Sequence, residues 1–275
     1  MITALIAVLI AFLVWWLATG AILMVAKYAD KRGARARQYA TLMALPMLLG
    51  GFWGYAISLN AVSASGTYIA FFATLAIWGW IELAFLTGIV TGPICKPLPS
   101  GVSEFERFLR AWGTLAFHEI LLVGTLISLI VAGWGAENTF GMWTFIVLYV
   151  ARISAKFNLY FGVPKINIEF LPTVLMHLSS HFRIRRMNWV FPISISILTF
   201  AVACWLERLY AATAIEAVIG FSLLTAITAL ALFEHWMMVL PLPDERLWRW
   251  MLPADTAVRE PHSSLSTRQE DAHGL

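Results

Sequence analysis

Charge is scarce in this sequence. Asp, Glu, Lys and Arg make up 13 % of its 275 residues, about half the share of an ordinary globular domain, and that excludes one or two soluble domains with a solvated surface. The formal charge of +3 is too small to point to nucleic acid. Cysteine is nearly absent. Cys95 and Cys204 lie far apart and are expected on opposite halves of a membrane, which argues against a structural disulfide and against a cysteine-based metal site. No phosphate-cradling glycine loop, nucleophile elbow or Cys-rich ligand set occurs. There is also no internal repeat and no inverted pair of halves, which counts against a proton-coupled transporter.

What the sequence has instead is apolar length. Hydrophobic residues reach 60 %, gathered into runs long enough to cross a bilayer core of about 30 Å. The pattern predicts an all-α bundle of seven transmembrane spans within residues 1–252, at about 2–26, 42–60, 68–90, 108–132, 140–161, 189–206 and 214–240. The first run has no basic residues before it and KYADKRGARAR after it, the reverse of a cleaved signal peptide. Ser103, with Glu106 three residues on, marks a capped helix start ahead of the fourth span. Residues 165–188 are too short and polar to cross. An amphipathic helix at about 172–183, with Val174, Leu175, Leu178 and Phe182 on one face, is expected to lie in the membrane interface between spans five and six. Residues 253–275 read as a disordered tail.

With seven alternating spans, all of the 19 Lys and Arg residues except Arg208 fall on one side. By the positive-inside rule this predicts an N-out, C-in orientation with a cytoplasmic tail. Arg183, Arg185 and Arg186 form a basic patch suited to a membrane surface or a partner.

Ionisable residues inside apolar spans cost roughly 2.5–3.5 kcal/mol each on insertion scales and normally face the bundle and pair. Here they are Glu82, His118, Glu119, Arg152, Lys156, Glu234 and His235. At ~1.5 Å rise per residue, Glu82, His118, Arg152 and Glu234 lie on the order of 10–16 Å from the cytoplasmic ends of their helices, so they can meet in one layer. One reading is a polar pocket for a metal, a proton or a pigment headgroup, because neutral imidazole ligates zinc, iron or the magnesium of a chlorin. The other is a buried salt-bridge cluster, Arg152 with Glu82 or Glu119, that fixes helix register. Adjacent residues on a helix point roughly 100° apart, so His118 with Glu119, or Glu234 with His235, make a poor metal cage. His177 and His181 have a zinc-compatible spacing but lack the catalytic Glu of H-E-x-x-H. At the end of span five, Asn158, Gly162, Pro164 and Asn167 form a hub where Gly-Val-Pro breaks the helix.

The hub string RISAKFNLYFGVPKINIEFLP, continued by RRMNWVFPISI, resembles the PuhE family. Phe117-His118-Glu119, GMWTF at the entry to span five and the closing EHWMMVLPLP extend the similarity over nearly the whole chain. Members of that family are photosynthetic complex assembly proteins of purple bacteria, encoded beside reaction-centre genes. The resemblance implies a multi-pass protein of the bacterial inner (intracytoplasmic) membrane that promotes assembly of the reaction centre and core antenna. It would handle bacteriochlorophyll or a precursor, with reaction-centre or antenna subunits or pigment-biosynthesis enzymes as partners. It supplies no catalytic residues. An integral-membrane enzyme of tetrapyrrole metabolism, using the buried His/Glu layer, is the alternative.

Overall fold

The structure is a computed structural model and describes residues 1–241. Among these the chain is helical, with a single isolated bridge between Val163 and Ile184. The helices are α1 (Ile2–Lys31), α2 (Ala34–Met43), α3 (Leu45–Ser58), α4 (Ala64–Leu86), α5 (Glu104–Gly113), α6 (Ala116–Gly133), α7 (Phe140–Phe161), α8 (Val190–Ala211) and α9 (Ile215–Met237). Seven segments are long and apolar enough to cross a membrane, α2 and α3 together making one of them. This is a multi-pass, all-α membrane protein. Residues 242–275, which hold Arg246, Arg249, Arg259 and Arg268 and include the tail expected to be disordered at 253–275, lie outside the described residues.

Helices α4 and α9 form the centre. Their apolar windows are 56 % and 50 % buried, against 17 % for α1 and α8. Lipid offers no hydrophobic driving force between helices, so small residues that let backbones approach decide who packs where. Helix α1 lays Ala7 and Ala11 against Phe71 of α4 and Leu223 of α9. Helix α3 meets α4 at Gly51, where an added Cβ would come 2.9 Å from the Ala73 carbonyl and 2.7 Å from the Ile77 side chain. Outward-facing apolar residues such as Leu5, Phe12, Phe200 and Ile127 are exposed, as a lipid-facing surface requires.

Three local features differ from the sequence reading. The basic stretch at 27–37 is not an open loop. Lys27 and Lys31 end α1, Arg35 and Arg37 begin α2, and Gly33 turns between them at φ 90°. A chain that must reverse within two residues needs that conformation, which glycine adopts at little cost.

The fourth span starts at Ala116 rather than near Phe108. Residues 91–94 lie along Gly113–His118, so the Gly113 carbonyl accepts from Ile94 N–H and the Thr91 carbonyl from His118 N–H. The helix breaks at that crossing, which puts His118 in the first turn of α6 and not near the middle of a span. The break leaves α5 as a separate amphipathic helix, capped as expected by Ser103 Oγ accepting from Glu106 N–H. Its apolar stripe of Phe105, Phe108, Leu109 and Trp112 faces outward, while Arg107 is buried.

The expected amphipathic α-helix at 172–183 is instead a 3-10 helix, Thr173–His181. Leu175 and Leu178 are buried against Phe85 of α4, so its apolar side is taken up by the protein itself.

Candidate functional site

The structure brings together five of the seven ionisable residues expected inside the spans. Arg152, on α7, donates from Nη2 to Glu82 Oε2 of α4 at 2.7 Å. One turn on, Lys156 forms an ion pair with Glu119 of α6. His118 Nε2 lies 3.9 Å from Glu82 Oε1, and its ring is 4.5 Å from that of Phe85. The spacing of four between Arg152 and Lys156 puts both cations on one face of α7. The facing helices each supply one carboxylate, and the result is two parallel pairs in one layer.

Glu234 and His235 join neither of these two ion pairs. Glu234 hydrogen-bonds the Trp15 side chain of α1 and lies close enough to Arg152 and Glu82 for their charges to act on it. His235, one residue on, points inward and is buried. Its Nδ1 lies 2.8 Å from the Ala231 carbonyl, which can only accept, so Nδ1 carries the proton of the neutral ring. Nε2 then accepts from Ser154 Oγ at 2.9 Å. A rotation of roughly 100° per residue along α9 separates the two side chains.

His118 is fully enclosed, with 0 % exposure and no hydrogen-bond partner on either nitrogen among the described residues. A chlorin coordinated to it would need an open ring edge, and none exists. No group of three or more His, Cys, Asp or Glu side chains able to hold a metal occurs among the described residues, and these residues therefore do not fit a metal cage.

The hub is a polar knot. Asn158 is completely buried and donates to Ser194 Oγ of α8 at 2.9 Å and to the Ser154 carbonyl at 3.0 Å. Asn188 donates to Asn158 Oδ1 at 3.1 Å and to the Gly162 carbonyl at 2.8 Å. Its own Oδ1 accepts from the N–H groups of Val190 and Phe191, capping α8. Gly162 sits at φ 116°, ψ 131°, a conformation nearly closed to other residues. Past it, Val163 exchanges backbone hydrogen bonds with Arg183 and Arg185, and Lys165 N–H donates to the Met238 carbonyl. Pro164 is exposed and Asn167 half-buried. Asn188 was not singled out from the sequence, although its place just ahead of the eighth helix is a cap signal.

Arg107 was also missed. It is 5 % exposed and donates from Nη2 to the carbonyls of His181, at 2.7 Å, and Tyr160, at 3.1 Å. The guanidinium stacks 4.1 Å from the Tyr160 ring centroid. One side chain thus ties α5 to the end of α7 and to the 3-10 helix. Burial lowers its pKa, and Tyr160 and Glu104 oppose that shift. In the basic patch, Arg185 and Arg186 are exposed, but Arg183 is engaged by Glu104, and that hydrogen bond holds the Glu104 carboxyl below its usual range. His177 and His181 are both lowered by burial. From α1, Lys27 donates to the carbonyls of Glu169 and Leu171, and Asp30 accepts from Thr173 N–H.

A family model described as a protein of unknown function, DUF3623, matches residues 1–259. The chain belongs to the DUF3623 family. A relative from Rhodobacter capsulatus, named as an uncharacterized 30.4 kDa protein in the puhA 5′ region, is 52 % identical over 241 residues, covering 88 % of each chain. No solved structure matches.

Proposed function

We propose that this DUF3623 protein is an assembly factor for the photosynthetic reaction centre and core antenna, oriented N-out and C-in in the bacterial inner membrane. The observation that carries the reading is the relative's name, which puts it in the 5′ region of puhA, a photosynthesis gene. The PuhE-like hub points the same way. The site geometry favours a binding or scaffolding protein over an enzyme, because both carboxylates of the layer are held in ion pairs and neither reaches the open cavity beside it. Acid–base chemistry needs a group that can meet a substrate, and His118 is sealed off. The 3-10 helix, α5 and the hub form an elaborated face, expected on the cytoplasmic side, where reaction-centre or antenna subunits or pigment-biosynthesis enzymes would dock.

Deletion of the gene in its photosynthetic host, followed by near-infrared absorption of isolated membranes, tests this. Reaction-centre and core-antenna bands should fall while free pigment is still made, and a plasmid copy should restore them. Unchanged bands in the deletion strain would remove the assembly role, and loss of all pigment would favour the biosynthetic enzyme instead.

A further inference from the structure

Beneath the 165–182 segment lies a partly open cavity of about 210 Å³. Its walls are mostly apolar, with Phe85, Leu115, Leu159 and Leu171 among them, and Arg152 and Lys156 line it as well. Their carboxylate partners do not: neither Glu82 nor Glu119 reaches the cavity. Each ion pair is therefore turned with its positive end toward the cavity and its negative end behind. Arg152 contacts Glu82 through Nη2, and its buried Nε has no partner among the described residues. A guanidinium offers five N–H donors and an ammonium three, so both cations keep donor capacity beyond the bonds they make.

We propose that this cavity binds the anionic head of an amphiphile, a carboxylate or phosphate monoester on an apolar body, with Arg152 and Lys156 donating to the anion. A cationic head would meet two like charges in a poorly solvated space. A neutral head would forgo the stronger charge-assisted hydrogen bonds. Size limits the occupant. A cavity of about 150 Å³ admits benzene, while drug-sized ligands occupy roughly 300–1,000 Å³. The space takes a head and the start of a chain, the rest leaving through the open side, and it is too small for a tetrapyrrole macrocycle. The inference concerns what the cavity holds and stands apart from the assembly role, so either can fail without the other.

The full-length protein, purified in neutral detergent, would be loaded with dansyl-labelled undecanoate and challenged with laurate, dodecyl phosphate or dodecanol. The two anions should displace the probe at least about tenfold more effectively than the alcohol of equal chain length, reflecting charge-assisted contacts. A variant with both pairs neutralised (Glu82→Gln, Arg152→Gln, Glu119→Gln and Lys156→Gln) strands no charge. It should lose that preference. Ala111→Phe, which leaves the pairs alone and fills the cavity wall, should abolish probe binding while thermal stability is kept. Mass spectrometry of the lipid extract then separates a free carboxylate from a phosphate-bearing lipid as the natural source. Equal displacement by dodecanol, or probe binding unchanged in Ala111→Phe, would overturn the proposal.

Discussion

Arg107→Met is the most informative single change, because three elements meet at one guanidinium. Met keeps the apolar stem and removes the donors. The carbonyls of Tyr160 and His181 then lose a charged partner at 3.1 and 2.7 Å. A buried acceptor left unpaired costs about 1–3 kcal/mol, so two such losses total roughly 2–6 kcal/mol. The mutant no longer buries a charge, and that relief brings the net toward about 3 kcal/mol. The loss should be local rather than global, since the spanning helices do not depend on Arg107. Hydrogen exchange in detergent micelles is therefore the right assay. Amides of 104–113 and 173–181 should lose protection by more than ~100-fold, the equivalent of about 3 kcal/mol, with α4 and α9 unaffected. Tyr160→Leu keeps the backbone carbonyl and removes only the stacking, so its effect should be about 1 kcal/mol. Glu104→Gln should change little, because its carboxylate is 4.0 Å from Arg107 Nη1 and mostly exposed. Unchanged protection at 173–181 in Arg107→Met would show that the 3-10 helix is held by its apolar contacts alone.

Arg152→Leu should accumulate poorly, since it strands the Glu82 carboxylate, whose side chain is 12 % exposed, without its cation, and adding Glu82→Leu should recover part of the yield; a double mutant no better than the single would refute direct pairing. His118→Leu should accumulate normally and support complex assembly, because the ring is enclosed and makes no hydrogen bond; a stable variant that fails in assembly would assign the histidine a function. His177 and His181 have folded pKa values lowered by burial, so the unfolded segment binds protons first and stability is lost as pH falls below about 6.5; protease sensitivity of 173–181 should rise between about pH 7.5 and 5.5, and the double substitution to Gln should flatten that rise. A periplasm-active reporter fused after Gly135 should be active and one after Gly101 silent, and the reverse pattern would invert the orientation.

The number of spans was legible from residue order alone, because a spanning helix satisfies its own backbone and announces itself as an apolar run. The sequence also led to the expectation that Arg152 takes a carboxylate partner, Glu82 or Glu119, since an isolated charge in such a run must find one. Which carboxylate each cation takes, and that Glu234 turns to Trp15 while His235 turns to Ser154, follows from helix rotation, and that is set by the small-residue contacts of α1, α4 and α9. The break at Gly113–Ala116 depends on residues 91–94 crossing from elsewhere in the chain, and no local pattern encodes that. The same holds for the segment after Pro172. Its periodicity fits an α-helix in the interface, yet Phe85, Arg107 and Asp30, each remote in sequence, bind it in a tighter 3-10 form. The sequence by itself determined what must be buried and that charges within it must pair. Only the tertiary structure decided which partners met, because distance along the chain carries no information about which helix faces touch.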